Sequence, residues 1–142
     1  MIPYYCNDAI LQLPNVYSLV DLTRQFLEIV TVEDTELQLV IERARMAPDM
    51  SLQAAVDASI AERKRSQRGF ELVSLSEREY PAVTGVEACV TFVDRERGPR
   101  FLHEFHCVVA ETRVAYLCTS RLAHAPVCEQ WMHTMLEHLT LQ

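Results

Sequence analysis

Glycine is scarce in this chain, which contains only three glycines among its 142 residues. A phosphate-binding loop needs glycines close together, because its backbone adopts positive φ angles and approaches the ligand closely. The motifs GxSxG, HExxH, GxGxxG and the P-loop are also absent from the sequence. Their absence excludes the usual signatures of serine hydrolases, zinc proteases and nucleotide-binding enzymes.

Long apolar runs and paired cysteines are missing as well. No apolar run reaches the roughly 18 residues of a membrane-spanning helix, and the opening MIPYYCNDAILQLP lacks the basic start and apolar core of a signal peptide. The five cysteines are odd in number and form no CxxC pair, which favours reduced thiols over disulfides. They are Cys6, Cys89, Cys107, Cys118 and Cys128. We therefore expect a soluble, cytoplasmic protein.

Positive charge is in deficit, with 13 basic against 20 acidic residues and a formal net charge of -7. Phosphate backbones would repel such a chain, so nucleic acid is not the expected partner. The composition, 49% hydrophobic and 23% charged, is that of an ordinary globular protein. A length of 142 residues predicts a single domain, residues 1–142.

Local patterns predict strands in the first 45 residues and a helix after them. The predicted strands cover residues 9–14, 18–23, 24–31 and 37–43. In residues 51–67 the period changes, because Leu52, Val56 and Ile60 recur every fourth residue behind a cap at either Asp49 or Ser51. Basic residues close this helix, where they interact favourably with the helix dipole.

The second half of the chain predicts four strands and a closing helix. The strands cover residues 70–79, 86–95, 100–110 and 113–120. Their short links permit only antiparallel hairpins. The closing helix begins near Pro126 and is expected to bury a stripe of Val127, Trp131, Met135 and Leu139, widened by Met132 and Leu136. The predicted fold is an α+β domain, a curved antiparallel sheet with two main helices packed on one face.

Residues 101–109, FLHEFHCVV, place two histidines, a glutamate and a cysteine among apolar residues. On a strand, His103 and His106 point to opposite faces, so they cannot hold one metal ion without ligands from other elements. Cys107 shares a strand face with His103 but has no carboxylate there to orient a catalytic pair. We interpret this stretch as structural, and we predict no metal ion and no cofactor.

Cys128 is the remaining candidate nucleophile. It stands close to His124 and Glu129 at the start of the closing helix, where the pKa of a thiol can be lowered. The alternative is a small core residue below Met132, which we favour. An enzyme using Cys128 with His124, or a metal held by His103 with His106, stays open as a rival, but we predict a non-enzymatic protein.

The order of several segments resembles the DcrB-related family, whose fold is Mog/PsbP-like. The likeness covers essentially the whole chain. Gly85 in AVTGVEA is slightly displaced from the family's usual glycine. The segments that carry the likeness are YYCNDAILQLP, DLTRQFLEIV, LQLVIERAR with Arg43, SLQAAVDASIAE, GFELVSLSERE and RVAYLCTS with the closing helix.

Members of this family without a signal segment resemble Eag chaperones of bacterial type VI secretion. Those chaperones bind the N-terminal transmembrane helices of PAAR-containing effectors and keep them soluble before loading on the spike. The resemblance therefore implies a cytoplasmic, homodimeric chaperone or adaptor for such an effector. A rival is an immunity protein that caps a toxin through its acidic surface, which high salt should weaken.

Several predicted strands are apolar on both faces, for example at Phe26 and Leu27 and at Leu39 and Val40. If helices cover one face, the other leaves apolar area exposed, which suggests a client or a second copy of the chain. The alternative is that helices and a second copy bury both faces. We predict one partner-binding face, made of Leu27, Ile29, Val40, Val90 and Leu102.

Overall fold

The computed structural model describes residues 2–5, 9–17, 19 and 21–141, so Cys6 lies outside the described residues. Two helices and eight strands form in this part of the chain. In chain order they are β1 (Ile2–Tyr5), β2 (Ile10–Leu13), β3 (Arg24–Val30), β4 (Glu36–Arg45), α1 (Leu52–Ser66), β5 (Glu71–Glu79), β6 (Thr84–Asp94), β7 (Gly98–Val109), β8 (Thr112–Arg121), a 3-10 turn (Leu122–His124) and α2 (Ala125–Glu137).

The strands form two antiparallel sheets. Strands β1 and β2 make a separate ribbon, and the other six form one sheet in the order β3-β4-β8-β7-β6-β5. Both predicted helices and seven of the eight predicted strands form close to their predicted positions. Two regions differ: β1 was not predicted, and the described residues of the predicted strand 18–23 carry no strand.

Helix α1 begins where its cap residue dictates. The Ser51 hydroxyl accepts a hydrogen bond from the backbone N–H of Ala54 at 3.1 Å. Ala55, Val56 and Ile60 are buried, and the basic residues 63–65 occupy the last turn. The amphipathic pattern therefore predicted this helix and its buried side correctly.

The two helices pack on opposite faces of the six-stranded sheet. Val56 and Ile60 of α1 pack against Val86 and Ala88, whereas α2 joins the core that contains Cys89. Ala88 and Cys89 are neighbours in β6, so their side chains point to opposite faces. We name these surfaces the α1 face and the α2 face. The predicted α+β class, antiparallel sheet and two helices are confirmed, but the expectation that both helices cover one face is corrected.

The closing helix buries most of the predicted stripe, centred on its widened side. Met132 and Leu136 are fully buried together with Cys128, and Trp131, Met135 and Leu139 pack partly buried against the same core. Val127 is 39% exposed, so its expected burial is corrected. The Cys128 thiol donates a hydrogen bond to the backbone carbonyl of Cys118 at 3.3 Å, which turns this side of α2 toward the sheet. The preferred interpretation of Cys128 as a core residue is confirmed.

We expect Met132→Ala to lower the free energy of unfolding by about 2–5 kcal/mol, because it leaves a cavity in the core. Val127→Ala on the same helix is the matched control and should cost less than about 1 kcal/mol, because Val127 is already 39% exposed. Urea unfolding followed by circular dichroism measures both. Equal losses would mean that Val127 packs against the sheet as closely as Met132.

Candidate functional site

An apolar row crosses three strands on the α1 face. The strand register places Phe26 opposite Val40, and Val40 opposite Leu117. Phe26 is 58% exposed, while Val40 and Leu117 are half-buried. Because α1 packs over β6 and β7, this row lies on the part of the face beside the helix. We name Phe26, Val40 and Leu117 the apolar row.

The row ends at a buried polar cluster, since Leu117 lies opposite Glu104 in the register. The Glu104 side chain is 0% exposed and accepts two hydrogen bonds of 2.7 Å from Arg63 of α1. The Nε2 atom of His106 lies 3.0 Å from Glu104 Oε1, and an Arg113 nitrogen lies 2.9 Å from His106 Nδ1. Arginine can only donate, so His106 accepts at Nδ1 and donates from Nε2 to Glu104. We name these four residues the polar cluster.

Glu104 is ionised in this setting. Burial alone would raise the pKa of its carboxyl group, but hydrogen bonds from His106 and Arg63 and the charge of Arg63 lower the pKa to about 2. The Glu104 carboxylate therefore stays charged at neutral pH, and its two hydrogen bonds from Arg63 fix α1 to β7.

A cavity of about 380 Å³ joins the apolar row to the polar cluster. Leu117 and Leu102 line it together with the polar cluster. Two buried polar atoms in its wall, Gln67 Oε1 and Arg113 Nε, have no hydrogen-bond partner among the described residues. Buried polar groups are usually satisfied. The cavity wall therefore combines apolar side chains with polar residues, two of which contain a buried atom that is not satisfied by a hydrogen bond.

The predicted partner-binding residues do not share one face. Val40, Val90 and Leu102 lie on the α1 face, because the register pairs Val90 with Leu102 in neighbouring strands. Leu27 and Ile29 lie on the α2 face, opposite Leu39 and Leu37 respectively. The prediction of a single face for all five was wrong. Successive side chains of a strand point to opposite faces of the sheet. Choosing Leu27 instead of its neighbour Phe26 therefore placed the predicted residue on the wrong face.

Burial separates the three predicted residues of the α1 face further. Val90 is 0% exposed and belongs to the interior, while Leu102 is 8% exposed and lines the cavity. Phe26 and Leu117 were not selected from the sequence. The apolar pair at residues 26 and 27 was the available signal, but it did not tell which member faces outward.

His103 and His106 lie on opposite faces, as predicted from strand alternation. His106 pairs with Val86 on the α1 face, and His103 pairs with Cys89 on the α2 face. They therefore cannot share a ligand. Among the described residues, no helix has the length and apolar content needed to cross a membrane.

Three solved structures share this fold. A protein of unknown function, PA94 from Pseudomonas aeruginosa, described as a putative regulator, has 16% sequence identity and a TM-score of 0.79, with 100% of this chain and 97% of that chain covered. LpqN, involved in cell envelope biogenesis of Mycobacterium tuberculosis, has 9% identity and a TM-score of 0.62, with 80% and 68% covered. Cyanobacterial PsbP from Synechocystis has 10% identity and a TM-score of 0.53, with 87% and 94% covered.

These similarities show a PsbP-like α+β fold. The resemblance drawn from the sequence is confirmed at this level, and its finer part, the DcrB-related and Eag-type assignment, stays a prediction. No protein-family model matches the chain, and no curated protein matches its sequence.

We expect Arg63→Met to lower the free energy of unfolding by about 3 kcal/mol, because it leaves the Glu104 charge buried without its cation. Arg65→Met in the same helical turn is the matched control, since Arg65 is exposed and should cost less than about 1 kcal/mol. Chemical unfolding measures both.

Adding Glu104→Gln to the Arg63→Met variant should recover part of the loss, because it removes the uncompensated charge. If Arg63→Met and Arg65→Met cost the same, the Arg63–Glu104 pair does not hold α1 on the sheet.

Proposed function

We propose that this protein is a non-enzymatic chaperone or adaptor that shields the N-terminal transmembrane helices of a type VI secretion effector. The observation that carries the proposal is the apolar row, in which Phe26 is 58% exposed beside two half-buried apolar side chains. The DcrB-related and Eag-type resemblance of the sequence supplies the class of client.

The apolar row suits the side of an apolar helix. A transmembrane helix in water exposes apolar surface at a cost of about 25 cal/mol for each Å², and burying it against Phe26, Val40 and Leu117 recovers part of that free energy. Arg24 and Glu42 form an exposed ion pair of 3.1 Å beside the row, on the same face. Apolar contacts with a charged border are the usual composition of a protein-binding surface.

The cavity next to the row suits the polar parts of such a helix. Transmembrane helices that pack together use small and hydroxyl-bearing residues, whose polar groups need partners. Ser59, Gln67 and Arg113 line the cavity, so its wall contains polar side chains beside Leu102 and Leu117. This supports a client with both apolar and small polar residues on one side.

A homodimer is part of the proposal. Strand β5 forms the edge of the sheet opposite to β3 and exposes Leu72 and Val73, which are 44% and 62% exposed. An exposed apolar edge strand favours association with another chain. A dimer formed along β5 would leave the apolar row free for a client.

If the large protein encoded next to this gene is such an effector, we expect co-expression to raise its soluble yield. Phe26→Asp should reduce the yield and weaken binding about tenfold or more, because it puts a charge against an apolar helix. Val32→Asp is the matched control, since Val32 is 100% exposed in the turn that follows β3 and should leave binding unchanged. Pull-down and soluble yield measure the effect.

Salt separates the chaperone from an acidic protein that caps a toxin. Raising NaCl from about 0.1 M to about 1 M shortens the screening length from about 10 Å to about 3 Å. Apolar binding should survive this change, whereas binding driven by the net charge of -7 should weaken. Unchanged effector yield, or a complex that salt dissociates, would contradict the proposal.

A further inference from the structure

Three side chains with metal-binding groups converge on the α2 face, away from the apolar row. They are Glu87 of β6, His103 of β7 and His133 of α2, and one ligand atom from each lies within 4.8 Å of the other two. The Nε2 atom of His133 lies 3.1 Å from Glu87 Oε1, and the Nε2 atom of His103 lies 3.4 Å from Glu87 Oε2. Three separate elements of the fold thus supply one cluster.

His103 is an unusual member of this cluster. Its side chain is 0% exposed, and its close polar neighbours among the described residues include the Glu87 carboxylate, 3.4 Å from Nε2, and the Cys89 thiol. Neither contact has the geometry of a well-aligned hydrogen bond. A buried imidazole with poorly aligned contacts costs free energy. A ligand that accepts a lone pair from Nε2 would remove that cost.

The three groups are close enough to be drawn onto one tetrahedral ion. Bonds of about 2.0–2.1 Å from zinc to nitrogen and oxygen place neighbouring ligand atoms about 3.3 Å apart. His133 and His103 lie 3.1 Å and 3.4 Å from the two different oxygens of Glu87, and one ligand atom from each residue lies within 4.8 Å of the other two, so binding requires only a small turn of the side chains. Two imidazoles and one carboxylate are also a ligand set that zinc accepts.

The surroundings orient the carboxylate and leave one direction open. The Tyr80 hydroxyl donates a hydrogen bond of 2.5 Å to Glu87 Oε2, which holds the carboxylate in place, as outer-shell groups do around metal sites. The His133 side chain is 25% exposed, whereas His103 is fully buried. Solvent therefore reaches the cluster from the α2 side, where a water molecule can complete four-coordination.

We propose that Glu87, His103 and His133 bind one Zn²⁺ ion that ties α2 to strands β6 and β7. The site is independent of the proposed chaperone function, because it lies on the other face of the sheet and needs no client. Its expected effect is on the stability of the fold, since an ion that binds only the folded chain stabilises it.

The test uses the full chain, stripped of metal with a chelator and then titrated with ZnCl₂. We expect one equivalent to bind and the melting temperature to rise by about 8 °C when free zinc exceeds the dissociation constant about a hundredfold. His133→Gln should weaken binding at least tenfold and abolish the rise. His138→Gln is the matched control, because His138 is exposed at the end of the same helix and should bind like the unaltered chain.

Glu87→Gln provides a second variant that keeps the shape of the side chain and should also lose the zinc response. Co²⁺ substitution distinguishes this site from the cysteines, because nitrogen and oxygen ligands give a tetrahedral visible spectrum without the intense near-ultraviolet band of thiolate ligation. No thermal shift in the unaltered chain, an equal shift in His133→Gln, or a thiolate band would overturn the proposal. The three side chains would then be an internal polar cluster only.

Discussion

The central strands β6 and β7 bury side chains on both faces of the sheet, and the rest of the fold depends on this constraint. Every residue from Arg100 to Cys107 is buried, and so is every residue from Gly85 to Val90. Successive side chains of a strand point to opposite faces, so each face needs its own cover. Helix α1 covers one face and α2 the other.

Each face also buries a carboxylate, and the two are neutralised differently. Glu104 on the α1 face has the permanent charge of Arg63 at 2.7 Å. Glu87 on the α2 face lies against Tyr80, His103 and His133. Burial alone would raise the pKa of its carboxyl group, but hydrogen bonds from His103, Tyr80 and His133 and the charge of His103 lower the pKa to about 2. The first carboxylate pairs with a permanent charge that fixes a helix, whereas the second relies on histidines, the side chains that the proposed Zn²⁺ ion would bind.

The helices also cover the sheet unevenly along its width. On the α1 face the helix lies over β6 and β7, and Phe26 on the edge strand stays 58% exposed. On the α2 face Leu37 and Leu39 of the next strand, β4, are 2% and 3% exposed, whereas Val40 of β4 on the α1 face is only half-buried; Leu27 of the edge strand stays 43% exposed. The proposed client surface and the proposed metal site therefore occupy different sides of one sheet, so a change at one need not disturb the other.

The sequence by itself determined the type and approximate position of most elements, the antiparallel order of the later strands, and the separation of His103 from His106. These features rest on local periods of 2 and 3.6 residues and on link lengths, which neighbouring residues set. It did not reveal β1, and it placed a strand at 18–23 where the described residues have none.

Only the tertiary structure decided which residues act together. Strand β4 pairs with β8, far along the chain, and that register aligns Val40 with Leu117. The side on which a helix packs depends on long-range burial rather than on its own pattern, so α1 and α2 separate to opposite faces and bring His133 to Glu87. A local period fixes which neighbours share a face, but pairing between distant segments decides which faces meet.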